Sequence, residues 1–389
     1  MAGPLADVTV LEIAGIGPGP FCGMMLADMG ARVIRVDRAD AVTDPPDPRA
    51  RHEILNRGRQ SIAVDLKHPE GVATVLRLAE TADAMFEGFR PGVAERLGIG
   101  PKDCHARNPA LVYGRMTGWG QDGPYAQQAG HDITYLAVAG ALHPIGRDSG
   151  GPVPPLNVVG DFGGGGMLLA FGIACALLEA RTSGKGQVID AAIVDGAAVL
   201  TAMMHGMLAD GRWSTRRGEN LLDSGCPYYD VYRCADGEYV AVGALEDKFF
   251  AELVDGLGVA DDPVFGPGRT DPSRWAAIRR RLTEIFAGAT RQEWAARFGS
   301  GDACVAPVLS LTEASGDVHN QRRVVFDETA GFVQPNPAPR FDRTPAGQVG
   351  VAPYPGEHTT AVLAAAGYAD ADIERLERLG AVRGGGARR

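Results

Sequence analysis

Short apolar runs alternate with amphipathic stretches through the first half of the chain. Val8 to Ile13 is a strand-like run, Gly15 to Pro20 a sharp turn, Phe21 to Met29 helical in spacing, and Arg32 to Val36 a second strand. This βαβ opening repeats, with a strand at Ser61 to Asp65, a helix at Pro69 to Ala79 and a strand at Ala84 to Phe86. Pro109 to Tyr113 supplies one more strand before the glycine-rich segment Thr117 to Pro124. Strands separated by helices and short connections predict a mostly parallel sheet covered by helices. The longest apolar stretch, Met167 to Leu178, has twelve residues. That is short of the roughly 20 needed to span a bilayer, so a buried helix is expected.

The pattern changes past residue 200. Asp210 to Ser224 is rich in charge and glycine and reads as a crossover linker. Two strand candidates between Tyr228 and Val242 surround Asp236-Gly237, a strong hairpin-turn pair. Helices are expected at Lys248 to Leu257, Ser273 to Phe286 and Arg291 to Gly299, then an extended Pro335 to Pro345 and a short helix at Asp370 to Leu379. The expectation is a large α/β domain over 1–200, a linker over 201–225 and a smaller α+β domain over 226–325.

Charge narrows the function classes. Lys and Arg total 38 against 48 Asp and Glu, a net charge of −10, which argues against general affinity for nucleic acid or anionic membrane. Many arginines nevertheless lie before residue 100, so a local basic pocket stays open. The six cysteines form no CxxC pair, so reduced thiols and no structural zinc are expected. With no basic and apolar leader and no SKL-type ending, cytoplasmic placement is the expectation.

The turn GIGPGP, Gly15 to Pro20, invites comparison with a dinucleotide-binding loop, in which Asp37 would be the ribose acid. Prolines at 18 and 20 displace the third glycine, and the match fails. SGKG at 183–186 likewise lacks the rest of a P-loop. His131 follows a glycine-rich connection at a loop-to-helix step, suited either to proton transfer or to capping and packing. Asp161 precedes four glycines and an apolar helix. It either caps that helix or works as a proton carrier, with backbone N–H groups approaching developing charge. Glu246 stands at a helix start, where an acid usually serves the helix terminus. Arg35, Arg38, Arg57, Arg59, Arg90 and Arg96 fall at strand ends or in loops and suit either phosphate oxygens or surface salt bridges.

GIGPGPFCGMMLADMGARVIRVDR, LNRGRQSIAVDLK and EGFRPGVAERLG resemble N-terminal signatures of the family III CoA-transferase superfamily. QQAGHDITYLAVAGALHPIGR, PPLNVVGDFGGGG and GCPYYDVYRCADGEYVAVGALEDKFF resemble its alpha-methylacyl-CoA racemase branch, the likeness covering Val8 to Phe341. The resemblance implies a Rossmann-like large domain, a small domain, a return segment over 326–389 packing on the large domain, and two interlocked subunits sharing each active site. It implies inversion at C2 of 2-methylacyl-CoA thioesters, with His131 and Asp161 as the two bases and Glu246 against the histidine from the partner. Arg38, Arg90 and Arg96 would then meet the phosphates or adenine side of coenzyme A, and Asp132 its pantetheine arm. Coenzyme A is part of the substrate; no nicotinamide, flavin or metal is implied. Met203, Met204 and Met207 are candidates for the acyl surface, or ordinary core at helical spacing. Two alternatives accompany this reading: a transferase whose aspartate forms a covalent acyl intermediate, and a CoA-binding protein without catalysis.

Overall fold

The computed structural model describes residues 3–328, 331–347 and 349–385. The chain divides into two compact units, one made of 1–139, 156–200 and 323–389 and the other of 140–155 and 201–322.

The first unit opens with β1 (Thr9–Ile13), α1 (Pro18–Asp28), β2 (Arg32–Arg38), β3 (Arg59–Val64), α2 (Pro69–Ala79) and β4 (Ala84–Glu87). It continues with α3 (Val93–Leu97), α4 (Pro101–Arg107), β5 (Val112–Thr117) and α5 (Asp132–Val138). A π-helix over Val158–Met167 then runs straight into α6 (Leu168–Ser183), followed by β6 (Val188–Ala192) and α7 (Ile193–Leu200). The second unit holds α8 (Ala202–Ala209), β7 (Tyr229–Arg233), β8 (Tyr239–Gly243), α9 (Asp247–Gly256), α10 (Pro272–Phe286), α11 (Arg291–Phe298) and β9 (Val305–Pro307). After α12 (Val318–Arg323), the chain rejoins the first unit through β10 (Phe326–Asp327), β11 (Gln334–Pro335), α13 (Thr359–Ala365), α14 (Asp370–Arg378) and β12 (Val382–Arg383).

The large sheet has the order β12-β3-β2-β1-β4-β5-β6. All its pairings are parallel except β12, which closes the edge antiparallel to β3, Val382 opposite Val64. This order reverses direction between β1 and β4, and the crevice outside their carboxyl ends is where doubly wound sheets hold ligands. Alternate side chains feed two cores. Leu11, Ile34, Ile62, Met85 and Tyr113 pack with Val75 and Leu78 of α2 and with Val362, Leu363 and Leu376 from the return segment. Val10, Val33, Phe86 and Met116 pack with Cys22 and Leu26 of α1 and with Leu169 and Ile173 of α6.

Three expectations are corrected. First, α1 begins at Pro18 rather than Phe21; the prolines that spoil the dinucleotide motif occupy its first turn, where a preset φ and a missing N–H are harmless. Second, the π-helix and α6 form one 26-residue helix, Val158–Ser183, with an 18-residue stretch of mean hydropathy 1.6, long and apolar enough to cross a membrane by length and composition. Its Leu169, Ala170, Ile173, Ala176 and Leu177 are buried in the core of the sheet. Third, 201–225 is no bare linker: it begins with α8 and belongs to the second unit, as does Gly140 to Pro155.

In the second unit β7, β8 and β9 form an antiparallel sheet. The Asp236-Gly237 turn closes the hairpin with Gly237 at φ 87°, where a Cβ would be strained. Tyr232, Val240, Phe250, Leu253, Ile278, Phe286 and Trp294 make its core. Helices α10 and α11 start as their sequences direct: Asp271 accepts from the Ser273 N–H, and Thr290 with Glu293 forms a reciprocal capping box.

Candidate active site

Gly17, in the turn after β1, has φ 68°, and a Cβ there would lie 3.1 Å from Oδ2 of Asp161. The wide turns of the π-helix thus present Asp161 to the crevice at the carboxyl end of β1. The Asp161 N–H donates to Oδ2 of Asp132 at 2.7 Å, and Asn157 Nδ2 donates to Asp161 Oδ2 at 3.4 Å. Gly160 makes this approach feasible, because a Cβ there would sit 2.3 Å from Asp132 Oδ2. Asp132 is buried, and its Oδ1 has no hydrogen-bond partner among the described residues.

His131, the residue before Asp132, is the N-cap of α5. Its N–H donates to the Thr134 hydroxyl at 3.0 Å, and that hydroxyl donates to the His131 carbonyl at 2.7 Å. Thr134 therefore secures the helix start, and the exposed imidazole makes no capping bond. Asp132 joins the two candidates, adjacent to one in sequence and bonded to the backbone of the other.

Burial pushes the Asp161 carboxyl above the ordinary aspartate range; the Asn157 hydrogen bond opposes this, Asp132 adds to it and His131 draws it back. The Tyr135 phenol is raised by burial and then by the Asp161 charge, with Arg90 acting the other way. The Tyr135 ring enters because Gly118 and Gly130 have no Cβ; one would meet the ring at 2.0 and 2.5 Å respectively. Neither Asn157 nor Tyr135 stood out in the sequence. Their only signal is spacing, Asn157 four residues before Asp161 and Tyr135 four after His131, and the first is readable only once 158–167 is known to be helical.

The four glycines serve packing. A Cβ on Gly164 would lie 2.9 Å from Ala197 N, and one on Gly166 2.5 Å from the Pro18 carbonyl, so the π-helix seats against α7 and α1. The expected backbone donors next to Asp161 are committed: its own N–H to Asp132, and that of Phe162 to the Asn157 carbonyl at 3.2 Å. A developing oxyanion is not served by these two groups.

The arginines separate into two groups. Arg35 and Arg59 are buried on either side of Glu12, Arg35 Nη1 at 2.5 Å and Arg59 Nε at 3.0 Å. Arg35 also pairs with Asp37, which accepts from the Ser61 hydroxyl at 2.6 Å. Arg57 is buried against Asp28 at 2.6 Å and donates to the Pro335 carbonyl. These three are structural, and Asp37 belongs to their network. Arg38 pairs with Asp40 at the surface, whereas the exposed Arg90 and Arg96 have no ion-pair partner among the described residues. Arg90 follows β4, on the other side of the crevice from Gly17. Glu87, at the end of β4, is buried and accepts from the Phe89 N–H at 2.6 Å; burial pushes its carboxyl up to about 7.

In the second unit Glu246 is the N-cap residue of α9 but forms no capping bond with its side chain. Helix α8, which carries Met203, Met204 and Met207, has no buried residue, so these methionines are not ordinary core. Met204 lines a cavity of about 680 Å³ with Ile145, Trp213, Leu222, Tyr229 and Val231.

Comparison with known proteins gives this arrangement its relatives. The chain is 42% identical over 374 residues to alpha-methylacyl-CoA racemase of Mus musculus, covering 96% of each. It is 31% identical to succinyl-CoA–D-citramalate CoA-transferase of Chloroflexus aurantiacus, over 92% of this chain and 93% of that one. A crystal structure of a CAIB/BAIF family protein from Brucella suis superposes with a TM-score of 0.81 at 26% identity, covering 94% of this chain and all of the other. The model for CoA-transferase family III matches residues 5–359, and the chain belongs to that family.

Proposed function

We propose that this protein is a racemase that interconverts 2R and 2S 2-methylacyl-CoA thioesters by two-base proton transfer through an enolate. The observation that carries the reading is the convergence of His131 and Asp161, tied through Asp132, at the sheet's switch point. The near full-length identity to a protein named for this activity supports it.

The thioester carbonyl acidifies the C2 proton. From the 2S substrate the neutral imidazole of His131 removes that proton, and the electron pair moves onto the carbonyl oxygen as an enolate. Protonated Asp161 then delivers its proton to the opposite face of C2, leaving an imidazolium and a carboxylate. The 2R substrate runs the same steps backwards. Two unlike groups suit this cycle, because one base would have to travel around a planar intermediate to invert the centre. Burial favours the acid form of Asp161, which eases its turn as proton donor.

Coenzyme A binds as part of the substrate. Arg38, Arg90 and Arg96 meet its phosphates. Glu246 reaches His131 from a partner subunit in an interlocked homodimer. Supporting that assembly, α6 carries an uncovered stripe of Phe171, Ala174, Cys175 and Leu178, with Phe171 66% and Leu178 72% exposed.

Incubating a pure 2R-methylacyl-CoA in deuterated water tests the reading. The expected result is a mixture of both enantiomers carrying deuterium at C2. Transfer of coenzyme A to an added carboxylate without C2 exchange would assign the transferase reaction instead.

A further inference from the structure

Arg269 is a buried residue of the second unit with no role in the proton-transfer scheme so far. Its guanidinium lies 4.6 Å from the ring centroids of both Tyr228 and Phe250. From that slot Nη2 donates to the Leu245 carbonyl at 2.9 Å and to Oδ1 of Asp247 at 2.5 Å. These acceptors belong to the residues immediately before and after Glu246. The Arg269 backbone is itself held, its carbonyl accepting from Trp275 Nε1 at 3.1 Å. The guanidinium's Nη1 is buried without a hydrogen-bond partner among the described residues, an unfavourable arrangement that an apolar side chain in the same slot would avoid.

Glu246 itself is exposed. Its backbone is extended, with φ −76° and ψ 150°, and its carboxylate has no hydrogen-bond or ion-pair partner among the described residues. An acid at a helix start ordinarily folds back onto the first N–H groups; here that option is unused. Arg269 holds the main-chain carbonyl before Glu246 and the side-chain carboxylate after it, while leaving the Glu246 carboxylate free to point away from α9.

We infer that Arg269 is the positioning residue for Glu246: it clamps Leu245 and Asp247 so that the Glu246 carboxylate is held out for an imidazole to meet. This inference rests on the racemase reading above. Both acceptors are held through Nη2 while the planar guanidinium stacks over two rings, a seating that an ammonium group does not reproduce.

The test is a double-mutant cycle read by the initial rate of C2 deuterium exchange from saturating 2S-methylacyl-CoA. Arg269→Met keeps length and contact with the rings but removes the donors; it should lower the exchange rate at least tenfold with KM within twofold. In a Glu246→Gln background the same change should lower the rate less than twofold, because nothing is left to position. Arg269→Lys retains the buried charge and stands in if the Met variant fails to fold. It should lose rate to an intermediate degree and show the same coupling. Equal losses in both backgrounds would mean that Arg269 serves only the fold, and the inference fails. A wild-type rate in Glu246→Gln would also overturn it, by removing the residue it positions. Absence of C2 exchange in the unaltered protein would overturn the racemase reading itself, an outcome separate from the other two.

Discussion

Arg35 in β2 and Arg59 at the start of β3, both buried, and Arg90 and Arg96 beyond the carboxyl end of β4, are the same residue in two different electrostatic situations. Register places Arg35 opposite Glu12 and Ser61, so its charge is neutralised inside the fold. Arg90 and Arg96 lie beyond the strand ends, exposed and without an ion-pair partner among the described residues. An arginine that already has its carboxylate holds the protein together; one without a partner is available to a phosphate.

The strongest challenge to this contrast is Glu12→Gln. It leaves two buried guanidinium groups sharing one lost carboxylate, and breaking such a pair destabilises by about 3–5 kcal/mol. Urea unfolding should show the loss directly, and a shift under 1 kcal/mol would place these arginines in the same class as those of the rim. Next in size, Arg90→Ala should weaken binding of free coenzyme A about tenfold, equivalent to about 1.4 kcal/mol, while the unfolding midpoint stays in place. Titration calorimetry beside a melt separates the two effects.

Arg38 stands between the groups, at the rim but already paired with Asp40. Asp40→Asn releases it, and coenzyme A should bind about twofold more tightly at low ionic strength, with the gain fading as salt screens it. The smallest effect concerns Asp161, a half-buried charge. In the proposed cycle its ionised form takes the proton from the 2R substrate, so exchange from that enantiomer should fall as pH drops through a value above the ordinary aspartate range. Asn157→Ala removes the hydrogen bond that favours the carboxylate, so this acid limb should move to higher pH. Early exchange rates across pH measure it, and an unmoved limb would remove Asn157 from the setting of Asp161.

Much of the fold could be read from local pattern. The central strands β1 and β4 are mostly apolar runs because both faces are covered, and the helices α2, α10 and α11 carry their caps in the sequence. Segment 158–167 was read as a glycine-rich approach to a helix because glycine disfavours helices in isolation. In the folded chain the absent side chains admit α1 and α7, and close packing outweighs the propensity. Strand β12 is not legible in local pattern, because two residues form a strand only when β3 offers an edge.

The sequence by itself determined the αβ alternation, the hairpin at Asp236-Gly237 and the identities of His131, Asp161 and Glu246 as candidate proton carriers and supports. Those are properties of short windows and of motifs in a fixed order. Tertiary structure alone decided which arginines are neutralised, that Thr134 rather than the His131 ring secures the start of α5, that Asp132 ties the two candidates together, and that Arg269 grips both neighbours of Glu246. Each of these depends on which distant group fills the remaining hydrogen-bonding capacity of a buried or terminal atom, and chain separation hides that partner until the strands are in register.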